Sequence, residues 1–318
     1  MKNIQRSRLQ FLGLPEINSL EDISLHTHLS KGLIFKFLQD AERQYLSYTI
    51  PKSSGGQRHI HQPSFELKAL QRWILRSILD RLSVSSASKG FEPRQSTLHN
   101  AAPHVGAKSM LCVDIDDFFP SIPAGKVWFV FSMVGYSESV AAMLTTLTTY
   151  EGHLPQGAPT SPKLANLVCW RLDKRLMGYA GRRRVIYTRY ADDMCFSSQV
   201  DTKLTKCLPF IRYVIKDEGF TLNEAKTRFA GPSRRHEVTG LVVTDQRAGI
   251  GRTDCRKLRA LMYRAFTSKP DQLDNKVASK LRGHLAYVHG VDHKRYERLR
   301  AYIDRLKSEK PQPSLSDL

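Results

Sequence analysis

The sequence predicts an α+β fold, and three observations carry that expectation. Two apolar, β-prone stretches end in acids: Leu111–Val113 runs into Asp114, and Val185–Tyr190 runs into Asp192 and Asp193. Amphipathic helical patterns lie around them, at Ser64–Leu82, Ser161–Met177 and Lys203–Asp217. The chain then closes on a helix-patterned segment from Asp245 to Leu318, with 17 Lys and Arg against nine Asp and Glu, a net of +8.

The basic balance runs through the whole chain. Its 318 residues carry 49 Lys and Arg against 30 Asp and Glu, a formal charge of +19, and the isoelectric point is near 9.8. Such a charge calls for a polyanionic partner and supplies salt-sensitive, sequence-blind affinity for nucleic acid. A ribosomal or architectural protein shares it, so charge alone names no reaction. The length suits one large domain or two modest ones. The five cysteines, at 112, 169, 195, 207 and 255, show no Cys-x-x-Cys spacing. They read as reduced, mostly buried thiols of a cytoplasmic protein. No apolar run reaches membrane-spanning length, and the N-terminus lacks a signal-type apolar region, so no membrane partner is expected.

In chain order, Leu25, Leu29, Leu33 and Phe37 predict one helical face, with His26 and His28 as surface or packing residues. Tyr48–Pro63 reads as strand, glycine-rich turn, strand. Lys52 and Arg58 flank its tip, as an ordinary basic hairpin or as cations that close over a triphosphate. Ser64 caps a helix whose apolar face is Leu67, Leu70, Ile74, Ile78 and Leu82. Asn100-Ala-Ala-Pro-His104 reads as a loop whose Asn and His bond to backbone.

After Asp114, Asp116 and Asp117 read as local structural acids and Phe118 as core. Phe119 lies where a strand enters the helix Gly125–Val134, an offset that puts a ring either in the core or beneath an incoming sugar. The loop Leu154–Pro162 is stiffened by three prolines and made close-fitting by Gly157. Ser161-Pro162 then starts a helix whose core positions are Leu164, Leu167, Val168, Leu172 and Leu176. Arg182–Arg184 reads as a solvated charge run.

Val185–Ser198 reads as a hairpin without the Asn-Gly turn signature. Its adjacent carboxylates repel each other and need either open solvent or a cation. Because Asp114 ends a second apolar strand, an all-oxygen site for hard divalent cations outweighs a solvated turn. Beyond a helix to Asp217, Leu222-Asn223-x-x-Lys226 carries a lysine that reads by itself as a surface residue. Val238–Val243 is a further β segment. Three helices fit Thr253–Phe266, Asn275–His289 and Lys294–Lys307. In them Tyr263, Tyr287, Tyr296 and Tyr302 interleave with bases such as Arg298 and Arg300, a mixture suited to RNA. The tail Lys310–Leu318 reads as frayed.

Tyr190-Ala191-Asp192-Asp193 resembles the catalytic box of reverse transcriptases. Val113–Phe119 resembles their upstream aspartate motif and Leu154–Pro162 their template-and-nucleotide loop, in the expected order and spacing. Asn100-Ala-x-x-His104 and Val238-Thr239-Gly240 resemble signatures of the bacterial retron branch. The resemblance spans Tyr48–Val243, and it implies a right-hand polymerase. Residues 1–47 would be a helical lead-in, 48–244 fingers and an antiparallel-sheet palm, and 245–318 a basic helical thumb. It implies RNA-directed DNA synthesis from dNTPs with two Mg²⁺ ions. Asp114, Asp192 and Asp193 are then the catalytic metal ligands, with Ile115 beside them. Arg58, Phe119, Gln156 and Lys226 serve the nucleotide, and Asn100, His104, Arg298 and Arg300 the RNA.

The same resemblance implies a cognate noncoding RNA as template and a DNA product joined to an RNA 2′-hydroxyl. It also implies an effector protein as a further partner, in defence against phage, and leaves no room for an RNase H or endonuclease domain. Two readings compete. A group II intron or diversity-generating reverse transcriptase lacks support from the joint Asn-Ala-x-x-His and Val-Thr-Gly strings. An RNA-binding protein with a dormant palm does not explain three intact carboxylates.

Overall fold

The computed structural model describes residues 8–52, 55–200, 203–268, 275–310 and 315. The expected frayed tail therefore lies outside the described residues, apart from Lys310 and Leu315. Two short helices come early, α1 (Leu20–Thr27) and α2 (Lys31–Gln39). They correct the single helical face expected from Leu25, Leu29, Leu33 and Phe37. His28 closes α1 in the left-handed region at φ 58°, and the Ser30 side chain caps α2 by accepting from the Leu33 N–H. This break rotates the register, so Leu25 is exposed while Ile23, Ile34 and Phe37 are buried.

β1 (Tyr45–Pro51) and β2 (Gln57–Pro63) form the expected antiparallel hairpin. Ser64 then caps α3 (Phe65–Ser77), which passes into a 3₁₀ turn at Leu79–Arg81 rather than running on to Leu82. α4 (Thr97–Ala101) leads to β3 (Ser109–Asp114), and α5 (Ala124–Val134) and α6 (Glu138–Thr146) follow. The helix expected from Ser161 is two, α7 (Ser161–Val168) and α8 (Trp170–Gly181), with Pro162 in the first turn and Thr160 at the N-cap.

β4 (Ile186–Tyr190) and β5 (Asp193–Ser198) make the second hairpin; α9 (Leu208–Asp217) and β6 (Arg228–Ala230) follow. β3–β6 form an antiparallel sheet in the order β4-β5-β3-β6. The chain ends in a three-stranded sheet of β7 (His236–Val238), β8 (Leu241–Val243) and β9 (Ala248–Gly249). The helices α10 (Arg252–Thr267), α11 (Asn275–Val291) and α12 (His293–Glu309) come last, close to the spans the sequence predicts.

The central sheet is buried on both faces, which explains the near-continuous apolar run of β3. Leu111, Val113, Met194 and Phe196 enter a core shared with α1–α3 and α5–α9. Met110 and Cys195 enter a second core with β7, β8 and the last three helices. The five cysteines are free, and Cys169, Cys195 and Cys207 are buried. Among the described residues no helix is long and apolar enough to cross a membrane.

Candidate catalytic cleft

Three acids meet where the central strands end. Asp114 closes β3 and stands opposite Asp193, the first residue of β5. One step further, the Ile115 N–H donates to the Asp192 carbonyl at 3.2 Å. In an antiparallel ladder this makes 114 and 193 a non-hydrogen-bonded pair, the position where facing side chains come closest. Tyr190 pairs with Asp193, so Ala191 and Asp192 alone make the turn. Ala191 takes a φ of 56°, a left-handed value for which such tight turns normally use glycine.

Electrostatics follow from this crowding. Burial, followed by the Asp192 and Asp114 charges, pushes the Asp193 carboxyl up to about 6. Burial and Asp114 also raise Asp192. Lys226 donates to both carboxylate oxygens of Asp114, at 2.9 and 3.1 Å, and that bond raises its own pKa. No group of three or more His, Cys, Asp or Glu among the described residues stands assembled around one point as a metal cage. The donor set nevertheless fits a hard divalent cation. It is all carboxylate oxygen, its members repel one another, and one ammonium opposes three acids.

Asp192 and Asp193 line a cleft of about 470 Å³, and the buried Asp114 stands beside them across the β3–β5 ladder. Arg58 of β2, Phe119, Gln156, Lys226 and Ile115 line it too, so the structure brings every nucleotide-site candidate from the sequence to one place. Phe118 is buried and Phe119 is half-buried at the cleft edge, which separates the two neighbouring rings as expected. Gly157 explains the tight loop. At φ 134°, an added Cβ there would lie 2.8 Å from the His61 carbonyl, and the His61 N–H donates to the Gln156 carbonyl at 2.8 Å. The loop is thereby stitched to the basic hairpin.

The RNA candidates separate. Asn100 and His104 are fully buried. His104 bridges the hairpin, its Nδ1 2.6 Å from Ser197 Oγ and its Nε2 2.8 Å from Thr188 Oγ1. Burial holds its pKa down at about 4, so the ring is neutral, with one nitrogen donating and the other accepting. Neither side chain presents a polar atom to solvent. Arg298 instead lines a groove between α10 and α12 with Arg252, Arg256, Arg259, Arg305 and Tyr302. Arg300, two residues on, does not line it.

Some participants escaped the sequence reading. Phe91 lines the cleft 6.3 Å from the Phe119 ring and 6.0 Å from Tyr190. Asn223 also lines it and donates to Asp116 at 3.2 Å. Arg189 is wholly buried behind the turn. A charged residue inside an otherwise apolar, β-prone run was the available signal.

Comparison with known proteins agrees with the geometry. The reverse transcriptase (RNA-dependent DNA polymerase) family matches residues 50–243. The chain is similar to the retron Ec86 reverse transcriptase of Escherichia coli, 44% identical over 302 residues, covering 94% of this chain and 93% of that protein. It is 36% identical over 315 residues to the retron Mx65 reverse transcriptase of Myxococcus xanthus, covering 92% and 73%. With the retron Mx162 reverse transcriptase of the same organism it shares 35% identity over 341 residues, covering 96% and 70%.

Proposed function

The chain belongs to the retron reverse transcriptases and is an RNA-directed DNA polymerase, and from that premise we propose how its residues share the work. The carrying observation is the cluster of Asp114, Asp192 and Asp193 at the strand ends, whose Asp192 and Asp193 face Arg58, Phe119 and Gln156 across one cleft. The three aspartates, with Ile115 beside them, would hold two Mg²⁺ ions. When bound, these would supply positive charge to the attacking 3′-hydroxyl and to the departing pyrophosphate.

The chain's own groups position the substrate. Arg58 reaches the triphosphate from the hairpin, and Gln156 orients the nucleotide from a loop that Gly157 lets sit against β2. Phe119 fills the space a ribose 2′-hydroxyl would need. Lys226 neutralises Asp114 in the free protein and turns to the triphosphate as the leaving group departs, giving charge or a proton there.

Residues 1–47 serve as lead-in, 48–244 as fingers and palm and 245–318 as thumb. The arginine groove between α10 and α12 suits the phosphates of a structured RNA, which the enzyme copies in part. The DNA starts from a 2′-hydroxyl of that RNA and stays joined to it, and with an effector protein the product serves defence against phage. Asn100 and His104 support this indirectly, as buried struts.

Sequencing the nucleic acid that co-purifies with the protein tests the reading. It should be one RNA species carrying a branched DNA complementary to part of itself. Unbranched DNA, or RNA with no DNA, would contradict it.

A further inference from the structure

Among the described residues, one fully buried cation is neither a proposed metal ligand nor a proposed nucleotide contact. Arg189, in β4 directly before Tyr190, is fully buried, and so is Asp173 of α8. They form a two-pronged ion pair, Nε to Oδ1 at 2.8 Å and Nη2 to Oδ2 at 2.8 Å. Tyr187 donates to the same Asp173 at 2.8 Å. Burying two charges is costly, and a pair of apolar residues would commonly serve stability as well. The remaining guanidinium nitrogen offers a reason for the expense. Arg189 Nη1 donates to the Ala191 carbonyl at 3.1 Å and to Asn166 Oδ1 at 3.1 Å.

Ala191 is the residue that needs holding. Its φ of 56° is unfavourable for any residue with a Cβ, and the next two residues are Asp192 and Asp193. The turn is also gripped from its other side. An added Cβ at Gly90 would lie 3.0 Å from the Ala191 nitrogen and 3.3 Å from the Tyr190 ring. The Gly90 carbonyl in turn accepts from Asn166 Nδ2 at 2.8 Å. Asn166 thus ties Arg189 to the strap that covers the turn, and Lys163 and Asn166 both anchor that strap through Glu92, at 2.6 and 3.1 Å.

We propose that Arg189 is a positioning residue for DNA synthesis: anchored on Asp173 and aimed by Asn166, it holds the Ala191 carbonyl and so fixes the left-handed turn that presents Asp192 and Asp193. The proposal rests on the reading of those aspartates as the catalytic acids. Planarity is what the role demands. Arginine presents parallel donors to Asp173 and a third nitrogen to the turn, whereas lysine offers one nitrogen that can serve the acid or the carbonyl.

Single-nucleotide incorporation by the full chain with its co-purified RNA provides the test. Arg189→Lys keeps a cation opposite Asp173. It should lower kcat by about 10- to 100-fold, the scale of a small misplacement of catalytic groups. The KM for dNTP should move by less than about threefold, because nucleotide contacts lie elsewhere. Thermal unfolding should stay cooperative and RNA should still co-purify. Asn166→Ala leaves the ion pair intact and should show a smaller fall in kcat of the same kind.

Ala191→Gly supplies a readout that a merely structural role does not move. Glycine adopts the turn without support, so adding it to Arg189→Lys should recover several-fold of the lost kcat. No such gain is expected when the same change is made in a chain that keeps Arg189. Wild-type kcat in Arg189→Lys overturns the proposal, as does a loss that only tracks unfolding and that glycine fails to restore. If Arg189→Lys does not fold, unchanged kcat in Asn166→Ala overturns it. Asp193→Asn, measured alongside, separates the two readings. Activity in that variant removes the aspartate assignment itself, whereas an inactive Asp193→Asn beside an unimpaired Arg189→Lys removes only this proposal.

Discussion

Lys226 holds both carboxylate oxygens of Asp114, at 2.9 and 3.1 Å, on the strand position directly opposite Asp193. In the free protein an ammonium therefore stands where the proposed chemistry needs a divalent cation. Replacing Lys226 by Ala should remove that cation and leave three mutually repelling carboxylates. Mg²⁺ should then raise the melting temperature more in the variant than in the parent, by mass action on the folded state, and the KM for dNTP should rise. Thermal melts across a Mg²⁺ series, repeated with EDTA, measure the first effect. Identical Mg²⁺ responses would place metal binding away from Asp114.

Phe119 lies half-buried at the cleft edge while Phe118 is packed in the core. Phe119→Val should open space beside the incoming sugar and increase ribonucleotide incorporation by at least about tenfold relative to deoxyribonucleotide, a change of about 1.4 kcal/mol in discrimination. Competition between matched rNTP and dNTP reads this directly. Unchanged discrimination would make Phe119 a packing residue only.

His104 carries a pH prediction. Its pKa is lowered from 6.5 to about 4 by burial. Between those values the unfolded chain binds the extra proton, so stability is complete above about pH 6.5 and declines as pH falls toward 4. From pH 7 to pH 5 this group should cost about 2 kcal/mol. Asp193 acts in the opposite sense. Its folded pKa of about 6 lies above the ordinary 3.8 of an aspartate, so its contribution is lost as pH rises. Comparing urea unfolding of the parent with His104→Gln cancels that common effect. The variant should show a loss smaller by about 2 kcal/mol over the same pH span. Parallel pH curves would show that His104 is not held neutral.

The arginine groove between α10 and α12 separates two residues that the sequence could not tell apart. Arg298 lines it and Arg300 does not. Arg298→Ala should weaken RNA binding and reduce the slope of log affinity against log salt by about one, with Arg300→Ala having the smaller effect. Exchanging residues from 245 onward for those of a related enzyme should redirect RNA choice while generic primer extension survives. A chimera that kept its original RNA would move recognition to another part of the chain.

Much of this architecture was legible because strand ends, caps and charge are local signals. The acids at 114, 192 and 193 announced the cleft, Ser64 announced its helix, and the three basic helices followed from periodicity. Breaks were not legible where a single residue changes the path. His28 in the left-handed region and the turn at Cys169 each divided what periodicity joined. Asn100 and His104 were visible as a motif, but burial against Thr188 and Ser197 depends on strands that the motif does not contain. The partners of Arg189 are likewise scattered, at 166, 173 and 191, and only folding assembles them.

Asp114, Asp192 and Asp193 are proposed to serve RNA-templated DNA synthesis as one metal-holding cluster. Primer extension on an RNA template with Mg²⁺ and dNTPs, comparing the parent with Asp192→Asn and Asp193→Asn, tests this most directly. Each substitution keeps the side chain's shape and the basic surface while removing one anionic ligand. Extension should fall by at least about a thousandfold, roughly 4 kcal/mol of lost barrier reduction, while RNA retention stays near the parent's. Parent-like extension by either variant, with RNA still bound, would contradict the account.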